Sequence, residues 1–144
     1  MSYKHVPQKC IPASPYKTDE FVYRVIPDSI PTPDGFMPTF VDKAKRNKTA
    51  NLEMLFEISS KEKECGEFSL SVYLDMDIMI RKIYGTALSK IRPFIAKGTI
   101  SEEKGVAEKP NTDKHIDYYL SDYEENNPYD DFCVIGKIED FVKW

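Results

Sequence analysis

The sequence is poor in the residues that form disulfides, bind metals or build glycine-rich nucleotide loops. Its 144 residues include three cysteines, two histidines and six glycines. The cysteines Cys10, Cys65 and Cys133 form no Cys-x-x-Cys pair, so we expect no structural zinc and no other bound metal. Their odd number and wide spacing predict partly buried free thiols in a reducing compartment, and therefore a cytoplasmic location.

Long apolar runs and short catalytic signatures are also missing. No run is long enough to span a membrane, and the N-terminal residues lack the apolar segment of a secretory signal. The chain has no glycine-rich phosphate loop, no nucleophile elbow, no paired-histidine zinc motif and no EF-hand loop. We therefore expect a soluble protein outside the enzyme classes that such motifs identify.

Charge is nearly balanced but unevenly distributed. The net charge is −4, which argues against non-specific nucleic-acid binding because that relies on excess Lys and Arg. Each of two patches fits a protein partner of opposite charge or, alternatively, a solvated loop. The basic patch contains Lys43, Lys45 and Arg46, and the acidic patch, within 117–131, contains Asp122, Glu124, Glu125, Asp130 and Asp131.

The distribution of proline divides the chain into an arm and a domain. Seven of the ten prolines fall in the first 38 residues, where they keep regular structure short. We expect residues 1–18 to form an extended Pro-rich arm and residues 19–144 to form one domain. The hydrophobic content of 41% and the aromatic content of 12% are those of a folded chain.

Alternating apolar and polar residues predict five strands, and one helical stripe predicts a helix at about 75–91. Asp75 is suited to cap the start of that helix, and Pro93 prevents its continuation. Residues 52–58 fit a helix or a strand, and 106–114 read as loop. This order predicts an α+β domain whose mixed or mainly antiparallel sheet packs on one main helix. The predicted strands are 21–26, 68–74, 94–100, 115–120 and 132–138.

Polar residues on two of the predicted strands are candidates for function. Arg24 shares a strand face with Val22 and Ile26, where an unpaired charge is costly to bury, so it is paired, at an edge or functional. Ser69 and Ser71 share the polar face of the 68–74 strand. The alternative is that Arg24 pairs with a carboxylate and that the serines lie on a half-exposed sheet surface.

A third candidate strand carries His115, Asp117 and Tyr119 on one face. His115 lies beside a predicted turn, where a histidine is usually exposed or hydrogen-bonded at a strand end. A role as general base or metal ligand is the alternative.

The order of Tyr23-Arg24, Gly35-Phe36 and Ser69-Leu70-Ser71 resembles the ADP-ribosyltransferase family. The resemblance implies that Arg24 anchors NAD, that Ser69 and Ser71 shape the nicotinamide pocket, and that a late glutamate stabilises positive charge developing on the ribose. Counterparts for that glutamate are lacking on the predicted strands, because the late glutamates all fall in predicted loops.

Two functions follow as expectations. The first is a small, non-catalytic interaction protein of bacterial or phage origin that binds a protein partner without a cofactor. Its arm would wrap on the partner, and its nine tyrosines suit an interface. The alternative is an NAD-dependent ADP-ribosyltransferase-like enzyme or nucleotide-binding protein. A cleft holding Arg24 beside Ser69 and Ser71, with a carboxylate in reach, favours the alternative, and a flat surface there favours the interaction protein.

Overall fold

The computed structural model describes residues 3–46 and 65–142, which form a single domain around one six-stranded sheet. All paired strands are antiparallel, and their order across the sheet is β4-β5-β2-β1-β3-β6. The strands are β1 Val22–Ile26, β2 Leu70–Tyr73, β3 Phe94–Gly98, β4 Gly105–Ala107, β5 His115–Leu120 and β6 Phe132–Lys137. Helices of the described part are α1 Thr39–Arg46, α2 Met76–Ile83 and α3 Ala87–Ile91.

The predicted α+β class and the mainly antiparallel sheet are confirmed. The strand predicted at 115–120 has the observed bounds, and the other four predicted strands each contain an observed one. The loop predicted at 106–114 is wrong at its start, because Gly105–Ala107 forms the edge strand β4. That strand is too short to show alternation in the sequence. The prediction for 52–58 lies outside the described residues.

The predicted helix begins where expected but is divided in two. Asp75 caps α2, since its Oδ1 accepts a hydrogen bond from the Ile78 amide at 3.0 Å. Gly85 then takes a φ of 83°, a left-handed conformation that ends helices and that glycine adopts without strain. A short second helix, α3, follows. The single helix predicted over 75–91 is therefore interrupted, as the glycine permits.

The core lies on both sides of the sheet. On one side α2 buries Met79, Ile80 and Ile83 against Val25 and Ile95 of the sheet. The other apolar cluster is larger and rich in aromatic rings, so it supplies most of the buried apolar surface. Its fully buried members include Phe36, Phe40, Phe68, Leu70, Val72 and Ile116.

The N-terminal arm is fastened to the domain. Cys10 forms a disulfide with Cys65, and their Cα atoms lie 5.4 Å apart. Farther along, the Tyr16 amide donates to the Ala107 carbonyl of β4 at 2.8 Å. The prediction of three free thiols is therefore wrong for two of them, and only Cys133 remains a thiol. The pairing could not be read from the sequence because 55 positions separate the two cysteines.

Candidate functional site

Strands β1 and β2 separate after a single paired position, and Arg24 lies in the gap. Their register is the pair Tyr23 and Tyr73, beyond which β1 continues against β3 and β2 against β5. The Arg24 side chain spans the opening: Nη1 donates to the Ser71 carbonyl at 3.0 Å and Nε donates to the Gly35 carbonyl at 2.9 Å. Arg24 thus takes over a contact that a backbone amide makes in a continuous ladder.

A cleft of about 210 Å³ opens where the strands separate. Arg24, Ser71 and Tyr73 line it from the sheet side. Its other walls come from the helices and the residue that follows α3: Thr39, Asp42, Met79, Ile83, Leu88 and Arg92. The strand separation therefore produces a mixed polar and apolar pocket rather than a flat surface.

The cleft holds two guanidinium groups and one carboxylate. Arg92 Nη2 lies 2.6 Å from Asp42 Oδ2, and the two side chains are 8% and 19% exposed. Burial, with a smaller contribution from the nearby Arg92, lowers the pKa of Arg24 to about 9, and Asp42 opposes the shift. Arg24 therefore remains charged at neutral pH. The described side chains of the cleft therefore carry a net positive charge that favours an anion.

A row of polar side chains continues from the cleft across β2 and β5. The register places Ser71 opposite Asp117 and Tyr73 opposite His115. Ser71 Oγ lies 3.0 Å from His115 Nε2, and Ser69 Oγ donates to Asp117 Oδ1 at 2.7 Å. Since adjacent antiparallel strands align side chains face to face, two alternating patterns that are 44 residues apart become one cluster.

The cluster is not arranged as a Ser-His-Asp triad. In a triad the carboxylate binds the imidazole nitrogen that does not face the serine. Here Asp117 Oδ1 lies 4.0 Å from Nε2, the same nitrogen that faces Ser71. Burial lowers the pKa of His115 and outweighs the opposing effect of Asp117, so the ring is neutral at pH 7. Asp117 is therefore better placed to interact with a positive charge on a ligand than to orient His115.

The structure brings only some of the predicted site residues together. Arg24 and Ser71 line the cleft, and Arg24 bonds to carbonyl groups rather than to a carboxylate of the described residues. Ser69 is 1% exposed, so the reading of its strand face as half-exposed is wrong at that position. Its hydroxyl instead orients Asp117.

Several residues of the predicted acidic patch have partners within the chain. Asp122 accepts hydrogen bonds from the Glu124 and Glu125 amides and so shapes its own turn. Asp130 and Asp131 both pair with Lys104. In the basic patch, Lys43, Lys45 and Arg46 belong to α1, and their side chains lie outside the described part of the chain.

Four residues of the site escaped sequence reasoning as a group: Asp42, Arg92, His115 and Asp117. Asp42 and Arg92 gave no signal, because a single charged residue in a helix or at its end is common in any sequence. His115 and Asp117 did give one, since their spacing of two matches the spacing of Ser69 and Ser71. What was missing was the knowledge that β5 pairs with β2.

Other features of the described residues add no further chemistry. Within 3–46 and 65–142, no three His, Cys, Asp or Glu side chains converge as metal ligands. In the same ranges, no helix has both the length and the apolar character needed to cross a bilayer.

Comparison with known proteins gave no match: no protein-family model, no curated protein and no solved structure resembles the chain significantly.

Proposed function

We propose that the protein is an NAD-dependent ADP-ribosyltransferase-like enzyme. The observation that carries this proposal is the cleft between β1 and β2, which holds Arg24 and Ser71 and adjoins a carboxylate on β5. A cleft holding Arg24 beside both serines, with a carboxylate in reach, favours the transferase, whereas a flat surface favours an interaction protein; the observed cleft has Arg24 and Ser71. Ser69 supports it from outside the cleft, through Asp117.

The charges of the cleft suit the phosphates of a dinucleotide. Guanidinium groups bind phosphate oxygens through paired hydrogen bonds, and within the described part of the chain Arg24 uses two of its five N–H donors on carbonyls. Small-molecule pockets usually enclose about 300–1,000 Å³. A cleft of about 210 Å³ is smaller, so it would enclose one end of NAD and leave the remainder against its rim.

Asp117 is our candidate for the late carboxylate of the ADP-ribosyltransferase pattern, for which no glutamate was found on the predicted strands. It stands on β5 beside a second polar residue, His115, and opposite Ser71. The Ser69 hydrogen bond fixes one carboxylate oxygen. When the bond between nicotinamide and ribose breaks, positive charge develops on the ribose, and a fixed carboxylate stabilises it. The departure from the family pattern is aspartate in place of glutamate, which shortens the reach by one methylene group.

The test combines NAD binding with nicotinamide release. NAD at millimolar concentration should raise the melting temperature, because binding to the folded state stabilises it. Asp117→Asn should keep that shift and lower the rate of nicotinamide release by about 100-fold or more. Asp122→Asn is the matched control, since it removes a carboxylate from the same chain segment and should leave the rate unchanged. Absence of both a melting shift and nicotinamide release in the wild type would overturn the proposal.

A non-catalytic protein-binding function is the second candidate, favoured by the surface of α3. That helix has no buried residue, and Leu88 and Ile91 are exposed together with the preceding Tyr84. An apolar surface of this kind suits a protein partner. Ile91→Asp should abolish binding of a partner that the wild type retains, without changing the melting temperature. The arm itself is held by the disulfide, so wrapping on a partner would require its release.

The disulfide also bears on location. Disulfides persist in oxidising compartments and are rare in the cytosol. Cys10–Cys65 therefore favours an oxidising place of action over the cytoplasmic location predicted from the cysteine pattern. Trapping thiols with a mass-tagged alkylating reagent in intact cells distinguishes the two: one modified cysteine indicates the disulfide, and three indicate the reducing cytosol.

A further inference from the structure

Two buried cations of the cleft share one anion. Arg24 and Arg92 are 7% and 6% exposed, and they lie close enough for Arg92 to disfavour the charged form of Arg24. Asp42 forms an ion pair with Arg92. None of the described carboxylates forms an ion pair with Arg24, whose side chain contacts two carbonyls and the face of the Phe36 ring. Burying like charges together is unfavourable unless an anion lies between them.

We propose that Asp42 is an internal competitor for the anionic ligand, and that a diphosphate group displaces it from Arg92 and bridges Arg92 and Arg24. The inference rests on the site of the proposed function and names the part of the substrate that the two arginines select. Arg92 becomes a second anchor for the ligand, and Asp42 sets the affinity by opposing it.

Of the three charged side chains, Asp42 is the most exposed, which is the difference that this exchange needs. Arg24 is tied to the backbone of β2 and of the turn that precedes α1 by two hydrogen bonds. The Arg92 side chain is 8% exposed, whereas the Asp42 side chain is 19% exposed and stands on α1 at the cleft wall. Asp42 can therefore regain water as it leaves, while the arginines stay in place. One ion pair replaces another, and Arg24 gains a charged partner.

The geometry favours a diphosphate over a single phosphate. The two guanidinium groups come from different elements, β1 and the residue after α3, and they flank one cleft. A single phosphate can compete with Asp42 for Arg92, but it leaves one guanidinium without an anion or bridges both weakly. A diphosphate has two linked anionic groups, so the second group binds at a high effective concentration once the first is in place.

The experiment measures inorganic pyrophosphate and inorganic phosphate binding by calorimetry at equal ionic strength. The wild type should bind pyrophosphate more tightly than phosphate. Asp42→Asn should bind pyrophosphate about tenfold more tightly than the wild type, since it removes a competitor whose pair with Arg92 is comparable to a charged hydrogen bond. Arg92→Gln should lose the preference for pyrophosphate. Asp113→Asn is the matched control, because Asp113 pairs with Lys82 at the surface and should change neither affinity.

A purely structural role for the Asp42–Arg92 pair gives different results. In that case Asp42→Asn lowers the melting temperature, and its pyrophosphate affinity is unchanged or weaker, which overturns the inference. If Asp42→Asn does not fold, the melting temperature of the wild type tests the inference instead. A shift with pyrophosphate no larger than the shift with phosphate would overturn it. Arg92→Lys, which keeps the charge without the planar fork, should retain the fold and lose part of the preference.

Pyrophosphate binding and NAD turnover test the diphosphate site and the transferase activity independently. If pyrophosphate binds as described but NAD gives no nicotinamide, the transferase activity is wrong and the diphosphate site stands. If NAD is turned over and Asp42→Asn changes neither the KM for NAD nor pyrophosphate binding, the activity stands and the role of Asp42 is wrong.

Discussion

Ser69, directly before β2, donates a hydrogen bond at 2.7 Å to Asp117 of the neighbouring strand β5, 48 residues away in sequence. The bond joins the serine pattern, which was visible in the sequence, to the carboxylate, which was not recognised there. It also explains why Ser69 is buried although its side chain is polar. Four predictions follow from this cluster and from the elements that position it.

Ser69→Ala should lower the free energy of unfolding by about 1–3 kcal/mol, because it removes a partly buried hydrogen bond to a carboxylate. Ser71→Ala is the comparison, since Ser71 is only half-buried and its hydroxyl contacts the neutral ring of His115. It should cost about 0.5–1.5 kcal/mol. Urea denaturation measures both values. Equal losses in the two variants would contradict the special role of the Ser69–Asp117 bond.

Stability should fall as the pH decreases from about 6.5, because burial lowers the pKa of His115 in the folded state. As the pH falls through this range, the unfolded chain binds a proton on His115 more readily than the folded chain does. The contribution of neutral His115 to stability is fully lost below the pKa of the folded state. The pKa of His5 is also lowered, mainly by burial. Urea titrations between about pH 5 and pH 8 should show a shallower dependence for His115→Gln than for the wild type.

His5→Gln separates the two histidines. Each single variant should remove part of the slope, and the double variant should remove most of it. An undiminished slope in the double variant would assign the dependence to carboxylates instead.

Reduction of the disulfide should lower the free energy of unfolding by about 2–4 kcal/mol, since it releases the constraint on a long loop of the unfolded chain. Cys10→Ser should have the same effect without reductant, and Cys133→Ser should have none, because Cys133 is exposed and unpaired. Thiol titration of the denatured protein gives an independent check. One reactive thiol without reductant and three with it are expected; three in both conditions would refute the bond.

Asp75→Ala should destabilise the domain by about 1 kcal/mol, because it removes the cap of α2. Asp75→Asn retains an acceptor at the same position, so it should be close to the wild type. Thermal unfolding monitored by circular dichroism measures the difference. A loss of similar size in both variants would indicate that the carboxylate acts through its charge at the helix start rather than as a cap.

Local patterns were enough to predict most of the elements. The strand at 115–120, the capped helix start at Asp75 and the stop at Pro93 depend on side-chain alternation, capping chemistry and proline geometry, all of which act within a few residues. The edge strand β4 was missed because three residues carry too little pattern. Its pairing with β5 is a tertiary contact.

The sequence by itself determined the α+β class, the faces of the strands and the residue types available for chemistry, because these follow from spacing and composition. Tertiary structure alone decided which of them meet: Cys10 with Cys65, Ser71 with His115, Ser69 with Asp117, and Arg24, Arg92 and Asp42 in one cleft. Those contacts depend on strand order and on the separation of β1 from β2, which are set by packing of the whole core and leave no local signature.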